Sequence, residues 1–384
     1  MEFVYFGNDW FAENRTSSHH IATRLGVKFP LLYVESPGLR APKVNTRDMR
    51  KLWNMLRRTF RPPQAIAPHL WVMTLPQIPL RRFRLVKAAN RIFSRFVIRR
   101  AMKKLGFHRP VAWFHVPHPG FLAGQLDDVL TIYYCVDDYS MLPDVDSAII
   151  QKMDVQLTAI ADIVFVSSQH LLESHKPING NIYLSPHGVD AEAFARASAV
   201  ETQIPTEAAG LSHPIVGFWG LLERWVDLSI LEYIAQARPQ WTVLLIGRVA
   251  VDVSALRRHS NVVFSGTIPY SELPRWAKAI DVCILPFLVN SLILPSSPLK
   301  LREYLAAGKP TVSVPLPDVQ QFSDVVITAS GGPGFVHAIE QALATNNPRL
   351  EVLRKMAVAE VTWDSTVTTI LEKLDAHLQL QSHP

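Results

Sequence analysis

The feature of this sequence that most constrains its fold is a regular alternation of short apolar runs with segments long enough to form helices. The runs FVYFG at residues 3–7 and LLYVES at 31–36 begin the series. Four more follow, at 111–116, 131–138, 162–168 and 182–188. Continuous apolar runs of this length are typical of strands buried on both faces, as in parallel sheets covered by helices. The first half of the chain is therefore predicted to form a doubly wound α/β domain.

A small, polar, proline-containing stretch at residues 196–214 interrupts this alternation and is predicted to be a linker. The alternation then restarts, with predicted strands at 215–220, 241–247, 261–266, 281–287 and 310–315. A chain of 384 residues is long enough for two domains of ordinary size. We predict two Rossmann-like domains, at residues 1–200 and 201–384, with a terminal helix near 360–378 that crosses back to the first domain. Such domains face a central ligand cleft at the carboxyl ends of their strands.

Composition excludes several other classes of protein. The only two cysteines, Cys135 and Cys283, lie far apart in apolar runs, which argues against a disulfide framework and for a reducing compartment. Met1–Gly7 lacks the basic start of a signal peptide. No uninterrupted apolar run reaches the roughly 18 residues that a spanning helix needs. We therefore expect a cytoplasmic protein.

The net charge of +6 conceals an uneven distribution. Residues 47–110, the basic segment, contain 17 lysines and arginines and a single acid, Asp48, whereas the rest of the chain has a balance of −10. From residue 81 onward, two largely separate sets recur at helical spacing: the basic Arg84, Lys87, Arg91 and Arg95, and the apolar Val86, Ala89, Phe93, Phe96 and Met102. We predict that the apolar side packs on the sheet while the arginines hold the protein peripherally on the anionic inner face of the cell membrane.

Nucleic acid is the competing anionic partner for the basic segment. An earlier piece, MRKLWNMLRRTF at residues 49–60, repeats the mixture of basic and aromatic residues, and such mixtures also bind nucleic acid. However, the sequence contains no recognised nucleic-acid module, and the α/β layout accounts for the remainder of the chain. We therefore predict no nucleic-acid partner.

Several strings resemble those of the retaining GT-B glycosyltransferases of the broad family 4. SPHGVDAEAF (185–194) resembles the family's "PNGVD…F" element, and SSPLKLREYLAAGKPTVSVP (296–315) resembles its donor-binding "E-x7-E…AAG-PVV" segment. GFWGLLERWVDLSIL (217–231) and PYSELPRWAKAIDVCILPF (269–287) match intervening stretches, and YYCVDDYSMLP (133–143) is similar to a subgroup of exopolysaccharide and teichuronic-acid-type biosynthesis. The resemblance implies a GT-B fold and transfer from a nucleotide-sugar donor to a lipid-linked or polysaccharide acceptor, with retention of anomeric configuration.

Two positions depart from the pattern of that family. Pro295 stands where relatives have the first glutamate of their pair, and Leu221 follows Gly220 where many relatives carry arginine. Both positions keep open the alternative of a non-catalytic GT-B scaffold of a polysaccharide assembly complex. A second alternative is an enzyme of the same fold but different chemistry, a nucleotide-sugar 2-epimerase. The basic segment argues against the epimerase, which needs only soluble substrates.

The turn after the first strand of the second domain is a candidate site for the donor diphosphate. Departure of this leaving group needs positive charge or aligned N–H groups near the phosphates. Gly217–Gly220 precedes a helix predicted to begin near Asp227, so this turn is expected to present N–H groups. Arg224 lies in the same turn and is expected to add a cation.

Three further donor-binding residues lie in the segment that resembles the family's donor site. Lys300 and Glu303 are three residues apart and share one face of the predicted LKLREYLAAG helix. The resemblance implies that Glu303 bonds the donor ribose, and Lys300 is predicted to point at the phosphates from the helix N-terminus. Ser297 is predicted to supply a weaker contact where Pro295 removes a carboxylate. An exposed ion pair is the plain alternative for Lys300 and Glu303.

Polar residues at strand ends of the first domain are the candidates for acceptor binding and catalysis. His115 lies in HVPHPG, which resembles the "H-x-P" of some family members, and is predicted to carry a proton beside the reacting sugar. Asp138 is predicted to be catalytic and Asp137 to lie on the acceptor side, although both are also suited to cap the next helix. Asn8 and Asp9 are placed on the acceptor side by position alone.

No metal ion or other cofactor is expected, since the nucleotide sugar is a substrate. Asp144 and Asp146 formally make the D-x-D motif of another glycosyltransferase fold, but they precede a predicted helix, so helix capping is the better interpretation. No spacing of cysteine and histidine indicates zinc.

Overall fold

The structure is a computed structural model that describes residues 1–12, 15–36, 61–75, 77 and 83–382. The chain divides into two compact units. The first comprises Met1–Pro186 with Val367–Pro384, and the second comprises His187–Thr366.

The first unit is built on an eight-stranded sheet. Its strands are β1 (Phe3–Gly7), β2 (Leu31–Glu35), β3 (Gln64–Ala67), β4 (Leu70–Thr74), β5 (Val111–Phe114), β6 (Leu130–Cys135), β7 (Ile163–Val166) and β8 (Ile182–Leu184). Their spatial order is β3-β4-β2-β1-β5-β6-β7-β8. All neighbours are parallel except β3 and β4, which pair antiparallel at one edge. Every residue of the central strands β1 and β5 is buried, as expected for a sheet covered on both faces.

Among its described residues, the first unit has four α-helices before the chain passes into the second. They are α1 (Ser17–Lys28), α2 (Arg84–Leu105), α3 (Ser147–Ile160) and α4 (Gln169–His175). Asp146 caps α3 by accepting a hydrogen bond from the N–H of Ile149 at 3.2 Å, so the capping interpretation of the D-x-D string is confirmed for this residue.

The second unit is built on a six-stranded, wholly parallel sheet. Its strands are β9 (Ile215–Trp219), β10 (Thr242–Ile246), β11 (Val262–Gly266), β12 (Val282–Leu285), β13 (Thr311–Ser313) and β14 (Val326–Thr328), in the spatial order β11-β10-β9-β12-β13-β14. Its helices are α5 (Ala191–Ala195), α6 (Thr206–Ala209), α7 (Leu228–Ala237), α8 (Leu273–Ala279), α9 (Leu299–Ala306), α10 (Pro317–Gln320), α11 (Gly331–Thr345) and α12 (Pro348–Met356). The final helix, α13 (Trp363–Ser382), begins in the second unit, and from Val367 onward it belongs to the first.

The predicted α/β class with two Rossmann-like parallel-sheet units is confirmed. Each apolar run that was predicted to be a strand contains one. The hairpin of β3 and β4 was not predicted: β3 is a short exposed edge strand, and the buried apolar run of β4, LWVMT, was missed. The short strand β14 was missed for a similar reason, since only Val326 of its three residues is buried.

The chain joins the second unit earlier than the predicted boundary at residue 200. Residues 187–200 belong to this unit because their apolar side chains pack within it. The N–H of Val189 donates to the carbonyl of Val361 at 2.9 Å. The ring of Phe194 stacks on that of Trp219, with centroids 6.1 Å apart.

Helix α2 buries a different set of residues from the predicted one. Asn90 and Ser94 are buried on its inner face with Ile98, whereas Phe93 and Phe96 are exposed. The prediction that Phe93 and Phe96 pack on the sheet is therefore wrong, and only Met102 of the predicted apolar set is buried. Residues 49–60, the earlier part of the basic segment, lie outside the described residues. Among the described helices, none has the length and apolar character needed to cross a membrane.

Candidate active site

In the second unit, the side chain of Lys300 crosses directly over Gly220 at the carboxyl end of β9. Gly220 has a φ of +138°, and a Cβ built there would lie 1.8 Å from Cε of Lys300. The Lys300 ammonium lies 6.0 Å from the centroid of the Phe218 ring. Burial lowers the pKa of Lys300, and the negative charge of Glu303 opposes that shift. A glycine at position 220 therefore provides the space through which the lysine reaches the strand end.

The N–H of Gly220 is used within the sheet. It donates to the carbonyl of Ile246 at 2.8 Å, and the N–H of Leu222 donates to the carbonyl of Arg248 at 3.0 Å. The strand pairing thus continues past β9, which differs from the predicted turn of ligand-facing N–H groups. What Gly220 contributes is the room for Lys300.

Glu303 lies in a buried polar cluster beside Lys300. Its Oε2 accepts a hydrogen bond from the indole N–H of Trp219 at 2.8 Å. Tyr270 and Asp190 interact with the same group. Burial raises the pKa of Glu303 to about 7, while the Trp219 hydrogen bond and the charge of Lys300 act in the opposite direction. The pair is therefore not the exposed, weakly interacting one that the alternative interpretation assumed.

Ser297 belongs to a second buried network on the same helix. Its hydroxyl donates to Oδ2 of Asp318 at 3.1 Å and accepts from Nη1 of Arg302 at 3.0 Å. Arg302 also forms an ion pair with Asp318 at 3.0 Å and is buried. The hydroxyl of Ser297 is thus engaged inside the protein, where it tethers the N-terminus of α9 to α10.

Arg224 is exposed in the loop between β9 and α7. Its backbone N–H donates to Oε1 of Glu223 at 3.0 Å. Further along, Asp227 caps α7 by accepting from the N–H of Ser229 at 3.0 Å. The helix therefore begins where the sequence predicted, and the Arg224 side chain lies on the exposed part of the loop before it.

In the first unit, His115 follows β5 and is fully buried. Its Nδ1 lies 3.1 Å from the hydroxyl of Tyr5, and its Nε2 lies 3.0 Å from Oγ of Ser17. The ring stacks on that of Tyr134, with centroids 5.2 Å apart. Direct contact with a substrate would require the imidazole to leave these partners, so this geometry supports a positioning role.

Asp137 and Asp138 follow β6 and have different environments. Asp138 caps a short 3-10 helix by accepting from the N–H and Oγ of Ser140 at 3.0 and 2.6 Å. Asp137 is half-buried, and in the part of the chain that the structure describes no donor bonds its carboxylate. Burial, together with the neighbouring charge of Asp138, raises the pKa of Asp137 to about 7. Of the two, Asp137 is better prepared to exchange a proton near neutral pH.

Asn8 and Asp9 follow β1, in the turn before α1. The side-chain amide of Asn8 donates to Oγ1 of Thr16 at 3.3 Å, and the backbone carbonyl of Asn8 accepts from the hydroxyl of Tyr33 at 2.8 Å. Asp9 is exposed, and its Oδ1 accepts from the N–H of Phe11 at 3.1 Å. Asn8 thus shapes the turn, while the Asp9 carboxylate faces solvent.

Cys135, Asp154 and His175 lie close enough together to be considered as metal ligands, with their candidate atoms within 4.8 Å of one another. They are already bonded to neighbours, since Nε2 of His175 lies 3.0 Å from Oδ2 of Asp154 and Tyr133 donates to the other carboxylate oxygen. Burial lowers the pKa of His175, but the hydrogen bond and charge of Asp154 and the hydrogen bond to the Leu171 carbonyl together outweigh burial, so the pKa is raised. A histidine–carboxylate pair satisfies these groups without an ion, and the expectation of no metal stays a prediction.

The structure brings together three of the predicted donor residues, Gly220, Lys300 and Glu303, at the end of β9. The sequence analysis missed Trp219 and Tyr270, which surround Glu303. A signal for Trp219 was present, because it is the large aromatic residue at the end of a buried strand, directly before the glycine.

The chain resembles known proteins in both sequence and fold. Residues 213–346 match the family described as Glycosyl transferases group 1. A Bacillus subtilis (strain 168) protein named as a teichuronic acid biosynthesis glycosyltransferase, TuaH, is 27% identical over 258 residues. The match covers 61% of this chain and 64% of that protein, so the chain spans less than two thirds of this relative's length.

Solved structures resemble the entire chain. Sucrose-phosphate synthase from Thermosynechococcus elongatus has a TM-score of 0.70 at 16% identity and covers 100% of both chains. HepE from Anabaena, solved in complex with UDP, has a TM-score of 0.66 at 14% identity and covers 98% of this chain and 100% of its own. The predicted resemblance is confirmed: the chain has the fold of GT-B glycosyltransferases, and its residues 213–346 are similar to the family described as Glycosyl transferases group 1.

Proposed function

We propose that the protein is a glycosyltransferase that moves a sugar from a nucleotide-sugar donor to a lipid-linked or polysaccharide acceptor at the cytoplasmic face of the membrane, with retention. The observation that carries this proposal is the placement of Lys300 across Gly220, beside the buried Glu303, within the group 1 domain. The name of TuaH supports a cell-envelope acceptor, and the UDP bound to HepE supports a nucleotide donor.

The proposed donor residues act on the leaving group and the ribose. The ammonium of Lys300 stabilises the charge that develops on the departing diphosphate, and Arg224 adds a second cation from the exposed loop. The carboxylate of Glu303 accepts hydrogen bonds from the ribose hydroxyls. Gly220 acts only by admitting Lys300, and Ser297 acts only by holding the N-terminus of α9.

The proposed acceptor group is Asp137. The acceptor oxygen bonds to the anomeric carbon on the face from which the diphosphate departs, as the bond between that carbon and the diphosphate breaks, and the hydroxyl proton passes to the Asp137 carboxylate. A pKa of about 7 suits this transfer, since the group is then partly ionised at neutral pH. Asp138 and His115 position the loop, because the hydroxyl of Tyr139 donates to the carbonyl of His115 at 2.6 Å and Asp138 caps the same short helix. Asn8 and Asp9 flank the acceptor.

Attachment to the membrane is proposed to rest on electrostatic attraction between the basic segment and anionic lipid headgroups. The basic segment concentrates positive charge, and each basic residue near an anionic surface contributes about 1 kcal/mol. The transfer step is proposed to need no metal ion, since Lys300 and Arg224 supply the positive charge.

The decisive experiment is a thermal-shift screen of nucleotide sugars in the presence of a chelator, followed by hydrolysis and transfer assays for each stabilising compound. We expect one nucleotide sugar to raise the melting temperature and to be hydrolysed slowly. Lys300→Met should abolish both effects, whereas Lys28→Met, at an exposed lysine of the first unit, should change neither. No stabilisation of a folded sample by any nucleotide sugar would contradict the proposal.

The same assays separate the two alternatives. Stabilisation without hydrolysis, and without transfer to membrane-extracted acceptors, would favour a non-catalytic scaffold. Release of a sugar epimerised at C2 would favour an epimerase.

Asp137→Asn should reduce transfer to the acceptor while leaving donor binding intact. Asp138→Asn should chiefly lower the free energy of unfolding, by about 1 kcal/mol, as expected for a lost helix cap.

A further inference from the structure

Helix α2 turns apolar residues outward over residues 85–96. Leu85, Ile92 and Phe96 have exposed fractions of 86%, 70% and 64%, and on the opposite side Asn90 and Ser94 are buried. Three apolar residues of the later part of the helix are buried: Ile98, Ala101 and Met102. That later part packs inward in the ordinary way, whereas residues 85–96 present an apolar side to the outside.

The exposed apolar residues form one continuous line. Leu85, Ala88, Ala89, Ile92 and Phe96, here called the outward stripe, recur at intervals of three and four residues, and all five are exposed. Residues at these spacings lie on one helix face, one turn above another. Single exposed apolar residues are ordinary on protein surfaces, but a line of five over three turns marks an interaction surface.

Positive charge borders this stripe. Residues 84–105 contain eight lysines and arginines and no acid. At 100° per residue, Arg91 and Arg95 fall on one side of the outward stripe, and Arg100 and Lys104 follow beyond its end at Phe96. An apolar line bordered by basic residues is the pattern of helices that lie in the headgroup region of a bilayer.

We infer that the outward stripe inserts into an anionic membrane, with α2 lying in the interface plane. This inference goes beyond the proposed attachment by charge, because it assigns the binding to apolar insertion by named residues. It rests on the proposed function only for the location of the acceptor. Anionic lipid fits both features, since its phosphates pair with the arginines while its acyl region receives Leu85, Ile92 and Phe96.

Other partners for the outward stripe would match either its apolar residues or the positive charge beside them, but not both. Nucleic acid offers phosphates, but its backbone does not bury an aliphatic stripe. A second copy of the chain offers an apolar surface, but pairing two helices that each carry eight basic residues brings like charges together.

The test is co-sedimentation of the full chain with vesicles of phosphatidylcholine alone, or mixed with phosphatidylglycerol, at about 0.1 M and about 0.5 M NaCl. Attachment by charge alone fails at high salt, because the screening length shortens to a few ångström. We expect binding to the mixed vesicles to persist at high salt. Complete release at high salt would overturn the inference while leaving attachment by charge in place.

Variants identify the side chains responsible. Ile92→Asn with Phe96→Asn should lower vesicle partitioning about 100-fold, or roughly tenfold for each buried side chain lost. The matched control, Val352→Asn with Met356→Asn, replaces two apolar residues of α12 with exposed fractions of 55% and 66% and should bind vesicles as the unaltered chain does. Because all four residues are exposed, both variants should keep the original melting temperature.

Two further measurements keep this inference separate from the proposed function. Donor-induced thermal stabilisation, measured without vesicles, should be the same in the stripe variant and in the unaltered chain. Unchanged vesicle binding by the stripe variant would overturn insertion, whatever the donor assay shows. A dimer in gel filtration that the stripe variant abolishes, or RNA binding that it abolishes, would also overturn insertion and assign the stripe to that partner.

Discussion

At the residue scale, Glu303 shows how burial changes the meaning of a motif. The sequence placed it beside Lys300 on one helix face, but the protonation of its carboxyl is governed by the buried surroundings that raise its pKa. The unfolded chain returns that pKa to about 4.3. The folded state therefore binds a proton more tightly than the unfolded state, and the stability that this provides is full below about pH 4.3 and is lost as the pH rises through about 7.

Glu303→Gln is predicted to remove this pH dependence. A neutral amide keeps the shape of the side chain, so between pH 5 and pH 8 the unaltered protein should lose stability relative to the variant. The difference should be on the order of 3 kcal/mol. Melting temperatures of both proteins at the two pH values provide the measurement. If the melting temperatures of the two proteins changed in parallel with pH, the pKa of the Glu303 carboxyl would not be raised in the folded protein.

Gly220→Ala is predicted to damage the donor site by steric means. The added Cβ meets the Lys300 chain, and the φ of +138° strains any residue with a Cβ, at a cost of about 1–3 kcal/mol. We expect a lower melting temperature and no stabilisation by the donor. Gly210→Ala is the matched control, because its Cβ meets nothing and its φ is −92°. Normal donor binding by the Gly220 variant would contradict the assigned role of Lys300.

At the scale of elements, helix α9 carries the donor residues on one side and a structural anchor on the other. Lys300 and Glu303 face the end of β9, while Arg302 pairs with Asp318 of α10 and with Ser297. The sequence spacing indicated that Lys300 and Glu303 share a face. It did not reveal that Ser297 belongs to the anchor, because that depends on where α10 packs.

Asp318→Ala is predicted to weaken the second unit strongly. It leaves the buried Arg302 guanidinium without its carboxylate, and a loss of this kind typically costs about 3–5 kcal/mol. The comparison is Glu272→Ala, which breaks the exposed pair with Arg275 and should cost about 0–1 kcal/mol. Urea unfolding of the two variants should separate them clearly. Equal midpoints would show that the anchor contributes little.

At the scale of the whole molecule, the chain returns to its first unit through the end of α13. Val367–Pro384 belongs to that unit, and Leu374 is buried within it. Lys373 lies over the ring of Tyr183 at 4.9 Å, and the Asn181 amide lies 3.3 Å from Nδ1 of His377. The final residues thus complete a unit that begins at Met1.

Leu374→Ala is predicted to destabilise the first unit by about 2–5 kcal/mol through the cavity it leaves. Hydrogen exchange should accelerate in the sheet of that unit, while stabilisation of the second unit by the donor is kept. Leu380→Ala, at an exposed position of the same helix, is the control and should have no effect. Loss of exchange protection only in the second unit would contradict the assignment of these residues to the first.

The class of fold follows from the sequence alone. Alternation of apolar runs and helical segments is a local property, so strands such as 3–7 and 215–219 follow from it directly. Gly220 was proposed as a glycine at a predicted strand end, and Lys300 and Glu303 because they lie in a segment that resembles the family's donor-binding element. That these three residues lie together at the end of β9 could be expected from such local features.

Which side chains are accessible to a ligand depends on the packing of distant segments. His115 was predicted at a strand end, yet its ring is enclosed by Tyr5, Ser17 and Tyr134 from other elements. The apolar set of α2 was predicted to face inward, yet Phe96 faces outward. The physical reason is the same in both cases: periodicity depends on one segment, whereas burial depends on every segment that packs around it.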